Sequence, residues 1–200
     1  MSAGTIHIVA QVGDVTIDQT IERDYEGTRG DQGTLPVGQA GTLSTRTDDD
    51  TGVATLSTGH GIITGDDVDV FWDEGSRYGM GATVDGNAVT LEAGNGDVFP
   101  TEDTAIVVTK RKPIALAFDG DNLKMLVIGC KEVRCRISLE SSAGADLLSR
   151  DLPAGEPWFW AADMGVTNPL AGVDVASFQA ANADSATAGT VKIGAKIDSM

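Results

Sequence analysis

His60-Gly-Ile-Ile-Thr-Gly-Asp-Asp-Val-Asp-Val-Phe-Trp72 opens with a glycine-bracketed turn and runs into an alternating segment. Val68, Val70 and Trp72 fall on one side and Asp67, Asp69 and Asp73 on the other. That period of two belongs to a strand with a core side and a water side. Nothing in the stretch reads as catalytic, so it predicts scaffold.

The same idiom extends outward in both directions. Short strands are expected at Thr42–Arg46, Val53–Ser57, Tyr78–Val84, Ala88–Glu92 and Ala105–Thr109, separated by aspartate and glycine. Asp85-Gly86-Asn87 is a hairpin turn, because aspartate, glycine and asparagine tolerate the positive φ that tight connections need. Strands this short with turns this frequent predict a small barrel, and residues 41–110 read as an inserted β-barrel-like module.

The flanks read differently. Thr5–Val12 and Val15–Ile21 are strand-like, and the polar, glycine-rich stretch from Glu26 to Gly41 reads as a connection. After Lys110-Arg111-Lys112 come apolar segments at Pro113–Phe118 and Asn122–Ile128. The cleanest alternation in the chain follows, with Val133, Cys135, Ile137 and Leu139 on one side. Glu132, Arg134, Arg136, Ser138 and Glu140 form the other, and one wet face is expected for this strand. Ala143 to Arg150 is the place where a turn or two of helix would fit. Glu156–Ala161, Val173–Ala180 and Gly189–Ile197 complete a second β unit. Two N-terminal strands cannot enclose a core alone. The expected fold is therefore all-β: a β-sandwich built from residues 1–40 with 111–200, interrupted by the barrel of residues 41–110. A tandem of two independent modules is the competing layout.

Composition agrees and narrows function. The 200 residues include 25 glycines and only 5% aromatics, and the formal charge is −16. Residues 1–100 hold 17 acidic and 4 basic side chains, residues 101–200 hold 13 and 10. Direct nucleic-acid binding is disfavoured, because phosphates are neutralised by clustered lysine and arginine. No apolar run approaches the length of a bilayer-crossing helix, so no membrane partner is expected. No secretory signal is visible at the start of the sequence. Cys130 and Cys135 are too few for a disulfide framework or a four-ligand zinc site. Cys135 reads as a buried thiol, with a Cys130–Cys135 bridge across a hairpin as the alternative.

Candidates for chemistry are few. His7 sits within an alternating strand and His60 between two glycines, and no Gly-x-Ser-x-Gly elbow accompanies them. Asp48-Asp49-Asp50, Asp66-Asp67 with Asp69, and Asp119-Gly-Asp121-Asn122 offer carboxylates, yet none matches a calcium-loop pattern. No catalytic residue, metal ligand or cofactor is assigned, and the chain is not expected to be an enzyme.

Trp158-Phe159-Trp160 is apolar on both faces of its strand. A buried central strand and a contact between subunits explain that equally well. Phe71 and Trp72 raise the same question in the inserted module. These five aromatics are the candidate interface, and a sugar-binding platform is a further use for such side chains.

Gly41-Thr-Leu-Ser-Thr-Arg-Thr-Asp-Asp-Asp-Thr-Gly52, Gly59 to Trp72, and Arg77-Tyr-Gly-Met80 resemble the small β modules of tailed-bacteriophage structural proteins. Val166-Thr-Asn-Pro-Leu-Ala-Gly172 and the closing alanine-rich strands are similar to virion β-sandwiches. The resemblance spans about the central and C-terminal two thirds of the chain and implies a virion component without catalysis. Length and acidity place it nearest to head decoration or cement proteins, which bind the outer capsid lattice and stabilise it. The implied partners are the major capsid protein or other virion proteins, with the chain itself a homo-oligomer in the virion, assembled in the host cytoplasm. A tail-tube, tail-tip or head–tail connector component is the alternative within that class. A carbohydrate-binding module for host attachment is the alternative outside it.

Overall fold

A computed structural model describes the backbone of residues 3–12, 15–24 and 28–197, and the side chains of residues 32–162 and 164–197. It is all-β. The elements in order are β1 (Ala3–Val12), β2 (Val15–Asp24), β3 (Thr28–Leu35), β4 (Gln39–Arg46), β5 (Gly52–Leu56), β6 (Asp67–Trp72), β7 (Gly75–Asp85), β8 (Ala88–Glu92), β9 (Asn95–Gly96) and β10 (Ala105–Lys110). There follow β11 (Lys112–Ile114), β12 (Phe118–Asp119), β13 (Leu123–Lys131), β14 (Cys135–Glu140), β15 (Asp146–Leu152), β16 (Trp158–Ala161), β17 (Asp174–Val175), β18 (Ser177–Asn182) and β19 (Gly189–Ile197). Helix among the described residues is limited to a 3-10 turn at Ala162–Met164. Ala143 to Arg150, where the sequence offered a turn of helix, is the turn into β15 and most of that strand.

The barrel is closed. Strands run β6-β10-β4-β5-β8-β7, and β7 pairs back onto β6, so no edge is left in the ring. Closure relies on β7, whose eleven residues serve β6, β8 and the short β9. Alternation along each strand sends Leu43, Val68, Val70, Met80, Leu91 and Val108 to the interior, all fully buried. Gly86 supplies the positive φ (63°) for the turn between Asp85 and Ala88, which pair directly.

Two four-stranded sheets, β11-β18-β14-β15 and β16-β13-β19-β3, face each other as the sandwich. Their shared core contains Leu126, Ile128, Ile137, Leu139, Phe178 and Val191. β1 and β2 pair with each other, from Ala3↔Asp24 to Val12↔Val15. The strand that joins the C-terminal β19 is β3, within the stretch read from sequence as a connection. Its glycines hid it, and one of them lies in a close approach: a Cβ on Gly33 would stand 2.8 Å from Ile114 Cδ1, which would have to move. A close approach of two sheets removed the side chains that would have announced the strand.

β14 also departs from expectation. All six of its residues are buried, including Arg136, Ser138 and Glu140. The predicted wet face is covered by the barrel. Cys135 is buried as expected, but it is bonded to Cys130 in a disulfide across the β13–β14 turn, with Cα atoms 6.1 Å apart. Closing so short a loop stabilises by about 2 kcal/mol on the chain-entropy estimate. Reduction with dithiothreitol is expected to lower the urea-unfolding free energy by about that amount. A Cys130→Ala/Cys135→Ala variant should show no response to the reductant.

Candidate functional site

Barrel and sandwich meet along a polar seam whose centre is Arg111, in the one-residue step between β10 and β11. Its Nε donates to Asp69 Oδ1 at 2.9 Å and its NH1 to Glu140 Oε1 at 3.0 Å, with Asp146 Oδ1 3.8 Å away. Asp69 belongs to β6 of the barrel and Glu140 to β14 of the sandwich, so one guanidinium spans both. The other groups are satisfied too. Gly79 N donates to Asp69 Oδ1 at 2.9 Å, while Ser177 Oγ and Gln179 Nε2 donate to Glu140 Oε2 at 3.0 and 3.3 Å. Gly79 has φ of 64°, and a Cβ there would stand 3.3 Å from Arg111 NH2. Only glycine permits that backbone donor to reach the carboxylate without displacing the arginine.

A second cluster continues the seam. Asp151 of β15 accepts from Arg136 NH1 at 3.0 Å, Arg134 NH2 at 2.8 Å and Ser76 Oγ of the barrel at 3.0 Å. The Arg136 guanidinium carbon lies 3.3 Å from the centroid of the Tyr78 ring, across the boundary. Its Nε is buried without a hydrogen-bond partner among the described residues, and the ring contact is what attends it. Asp67 is exposed as the alternation predicted, but Asp69 is 2% exposed, because β6 turns its outer side to the sandwich.

Protonation follows from these surroundings. Burial pushes the Asp69 carboxyl above the usual carboxylate range, against the opposing pull of Arg111 and the Gly79 amide. Burial works against the charge on Arg111, but Asp69, Asp146 and Glu140 outweigh it and raise its pKa further. At the rim, slight burial opposes ionisation of Asp66, and Lys110 Nζ at 2.8 Å with the Ile63 amide outweighs that and lowers its pKa. A cleft of about 600 Å³ opens over this end of the seam, between Lys110, Asp66, Asp67 and Gln179. Its walls carry both signs of charge, and the carboxylates of Asp66, Asp69 and Glu140 are already engaged.

The candidate aromatics divide. Trp160 is 5% exposed and packs in the sandwich core, its Nε1 donating to Val166 O at 3.3 Å. Trp158 packs beside it, half-buried. Phe71 is 2% exposed outside the barrel, with the Arg134 guanidinium 5.7 Å from its ring centroid, and so belongs to the seam. Trp72 packs on the barrel core, 6.2 Å from Phe99. Phe159 lies on the outer face of the sheet. Register sets it opposite Val127, with Met125 opposite Ala161, and all four are half-buried. Lys192 and Lys196 share that face from β19. The structure thus brings Phe159 together with Val127 and Met125, two residues the sequence reading passed over.

The remaining sequence candidates have local roles. His60 Nδ1 accepts from Ile62 N at 3.1 Å, so Nε2 carries the proton toward Gly86 O at 3.2 Å, and the ring staples its loop to the β7–β8 turn. His7 stands opposite Thr20 in β1, its side chain outside the described residues. Asp48 accepts from Asp50 N and Asp119 from Asp121 N at 2.8 Å, as turn-forming carboxylates do, while Asp121 accepts from Gly172 N at 2.6 Å and ties its turn to a distant loop. Among the described residues, no three His, Cys, Asp or Glu side chains converge as a metal site requires. No family model, curated protein or solved structure matches the chain.

Two outcomes are expected at the seam. Arg111→Met leaves two carboxylates without their cation, Asp69 in the interior, and should cost about 3–5 kcal/mol in urea unfolding. Adding Asp69→Asn and Glu140→Gln should restore a large part of that loss. Lys110→Met should raise the pH midpoint of the Asp66 carboxyl in an NMR titration. The depressed folded value contributes stability present above its ordinary 3.8 and lost as pH falls through the lower folded value. Wild type and variant should therefore differ near neutrality, by less than about 1 kcal/mol for so exposed a pair, and converge in acid.

Proposed function

We propose that this chain is a non-enzymatic structural protein of a tailed-bacteriophage virion that decorates the outer head lattice and stabilises it. The observation that carries the reading is the separation of charge between two β units. Residues 41–110 hold 13 acidic and 3 basic side chains, a net −10 over the barrel, while residues 1–40 with 111–200 hold 17 and 11, a net −6 over nearly twice as many residues. The less acidic sandwich can lie against a protein lattice, and the strongly acidic barrel then faces solvent, where like charge keeps particles apart. The resemblance of the central and C-terminal sequence to virion β modules supports the same assignment.

The lattice contact in this reading is the outer face of β16-β13-β19-β3, where Phe159, Val127 and Met125 form an apolar band beside Lys192 and Lys196. Burying it against capsid subunits stabilises the assembled head by mass action, because the bound state is favoured only while the lattice is intact. Interfaces of this kind have an apolar centre and a polar rim.

Purified protein added to heads that lack it should bind at a copy number set by the lattice and raise the temperature at which DNA is released. Val127→Asp should bind at least roughly tenfold more weakly while unfolding at close to the same urea concentration. Failure to bind heads, or a copy number set by the tail axis, counts against the assignment.

A further inference from the structure

We infer that β16 is an assembly edge on which two copies of this chain join, related by a two-fold axis, into one continuous eight-stranded sheet. A sheet edge presents unpaired backbone N–H and C=O groups, and proteins protect such edges with charge, proline or glycine. The sandwich has four of them, at β11, β15, β16 and β3. β11 reads Lys112-Pro113-Ile114, β15 contains Asp146, Arg150 and Asp151, and β3 contains Arg29, Asp31 and two glycines. Trp158-Phe-Trp-Ala161 has no charge, no proline and no glycine. Among the described backbone hydrogen bonds, β16 pairs with β13 alone.

The segment that follows the strand exposes apolar side chains as well. Met164 is 54% and Val166 57% exposed directly beyond the strand, and Val166 is held there by the Trp160 indole. Of five large hydrophobic side chains that stand exposed among the described residues, these two lie two residues apart in the segment that follows β16. An uncharged aromatic edge flanked by exposed apolar side chains is what a strand-to-strand contact buries.

The occupant is a second copy because the edge is self-complementary. In antiparallel pairing, residues directly opposite share a face of the sheet. Two copies of β16 centred on Phe159 place Phe159 opposite Phe159 on the outer face and Trp158 opposite Trp160 on the core side. Aromatic residues thus meet aromatic residues at the three central positions, with Ala161 opposite Pro157 at each end, and each face stays in register with its own sheet. The axis is isologous, the commonest symmetry of homo-oligomers. Electrostatics permit it, since the approach is made by the uncharged strand of the less acidic unit rather than by the barrel of net −10.

This dimer is a property of the chain alone and does not rest on the decoration reading, so it is tested in buffer without viral particles. Sedimentation equilibrium of the purified protein at tens of micromolar should give a dimer. Phe159→Lys should raise the dissociation constant by roughly tenfold or more, whereas Val98→Lys, at an exposed site on the barrel, should leave it unchanged. Phe159→Cys should form a disulfide-linked dimer on mild oxidation, because the two-fold places that position beside its own copy, and Val98→Cys should not. A monomeric wild type at these concentrations, or a Phe159→Cys protein that sediments as a dimer yet does not cross-link, overturns the inference.

Discussion

One guanidinium holds the architecture in register. Arg111 reaches Asp69 in the barrel and Glu140 in the sandwich within normal hydrogen-bond distance, and all three are largely removed from water. Desolvating such charges is expensive, and the arrangement holds because nearly every lone pair and proton has a partner. Ser177, Gln179 and the Gly79 amide complete the set. Buried ion pairs are poor sources of net stability compared with apolar packing. Their effect here is directional: two cores that would each close independently are set against one another in one orientation.

That constraint explains the chain's allocation of charge. The acidic excess sits on the barrel, and four cations, Lys110, Arg111, Arg134 and Arg136, are concentrated at the boundary among Asp66, Asp69, Glu140, Asp146 and Asp151. The sandwich unit is left less acidic than the barrel, at net −6 against −10. Its outer sheet face and its β16 edge therefore offer apolar surface without a large field to repel a neighbour. Scaffold, seam and contact surface are successive consequences of where the cations are placed.

Much of the fold was legible in the sequence because strand alternation is a local property. The barrel strands, the turn at Asp85-Gly86-Asn87 and the apolar side of β14 follow from period two and from residues that accept positive φ. β3 was not legible, because Gly33, packed under Ile114, carries no side chain where one would normally mark a strand. β15 was obscured by an alanine-rich approach that also suits a helical turn. The disulfide was not legible, because spacing alone does not distinguish a hairpin bridge from a pair of core cysteines.

The candidate surface divides the same way. Sequence identified Trp158, Phe159 and Trp160 as apolar on both faces of a strand, and only the sheet order shows that strand to be an edge rather than a centre. It identified Arg136, Ser138 and Glu140 as one polar face and gave that face to water. Polarity reports whether a side chain needs partners, and it is silent on whether they are solvent or protein. By itself the sequence determined an all-β chain of two alternating units with acid weighted toward one of them, since those are sums over neighbours along the chain. Tertiary structure alone decided that the polar face is a seam, that Phe71 lies buried beside it, and that Phe159 stands on the outer face, because burial depends on residues far apart in sequence.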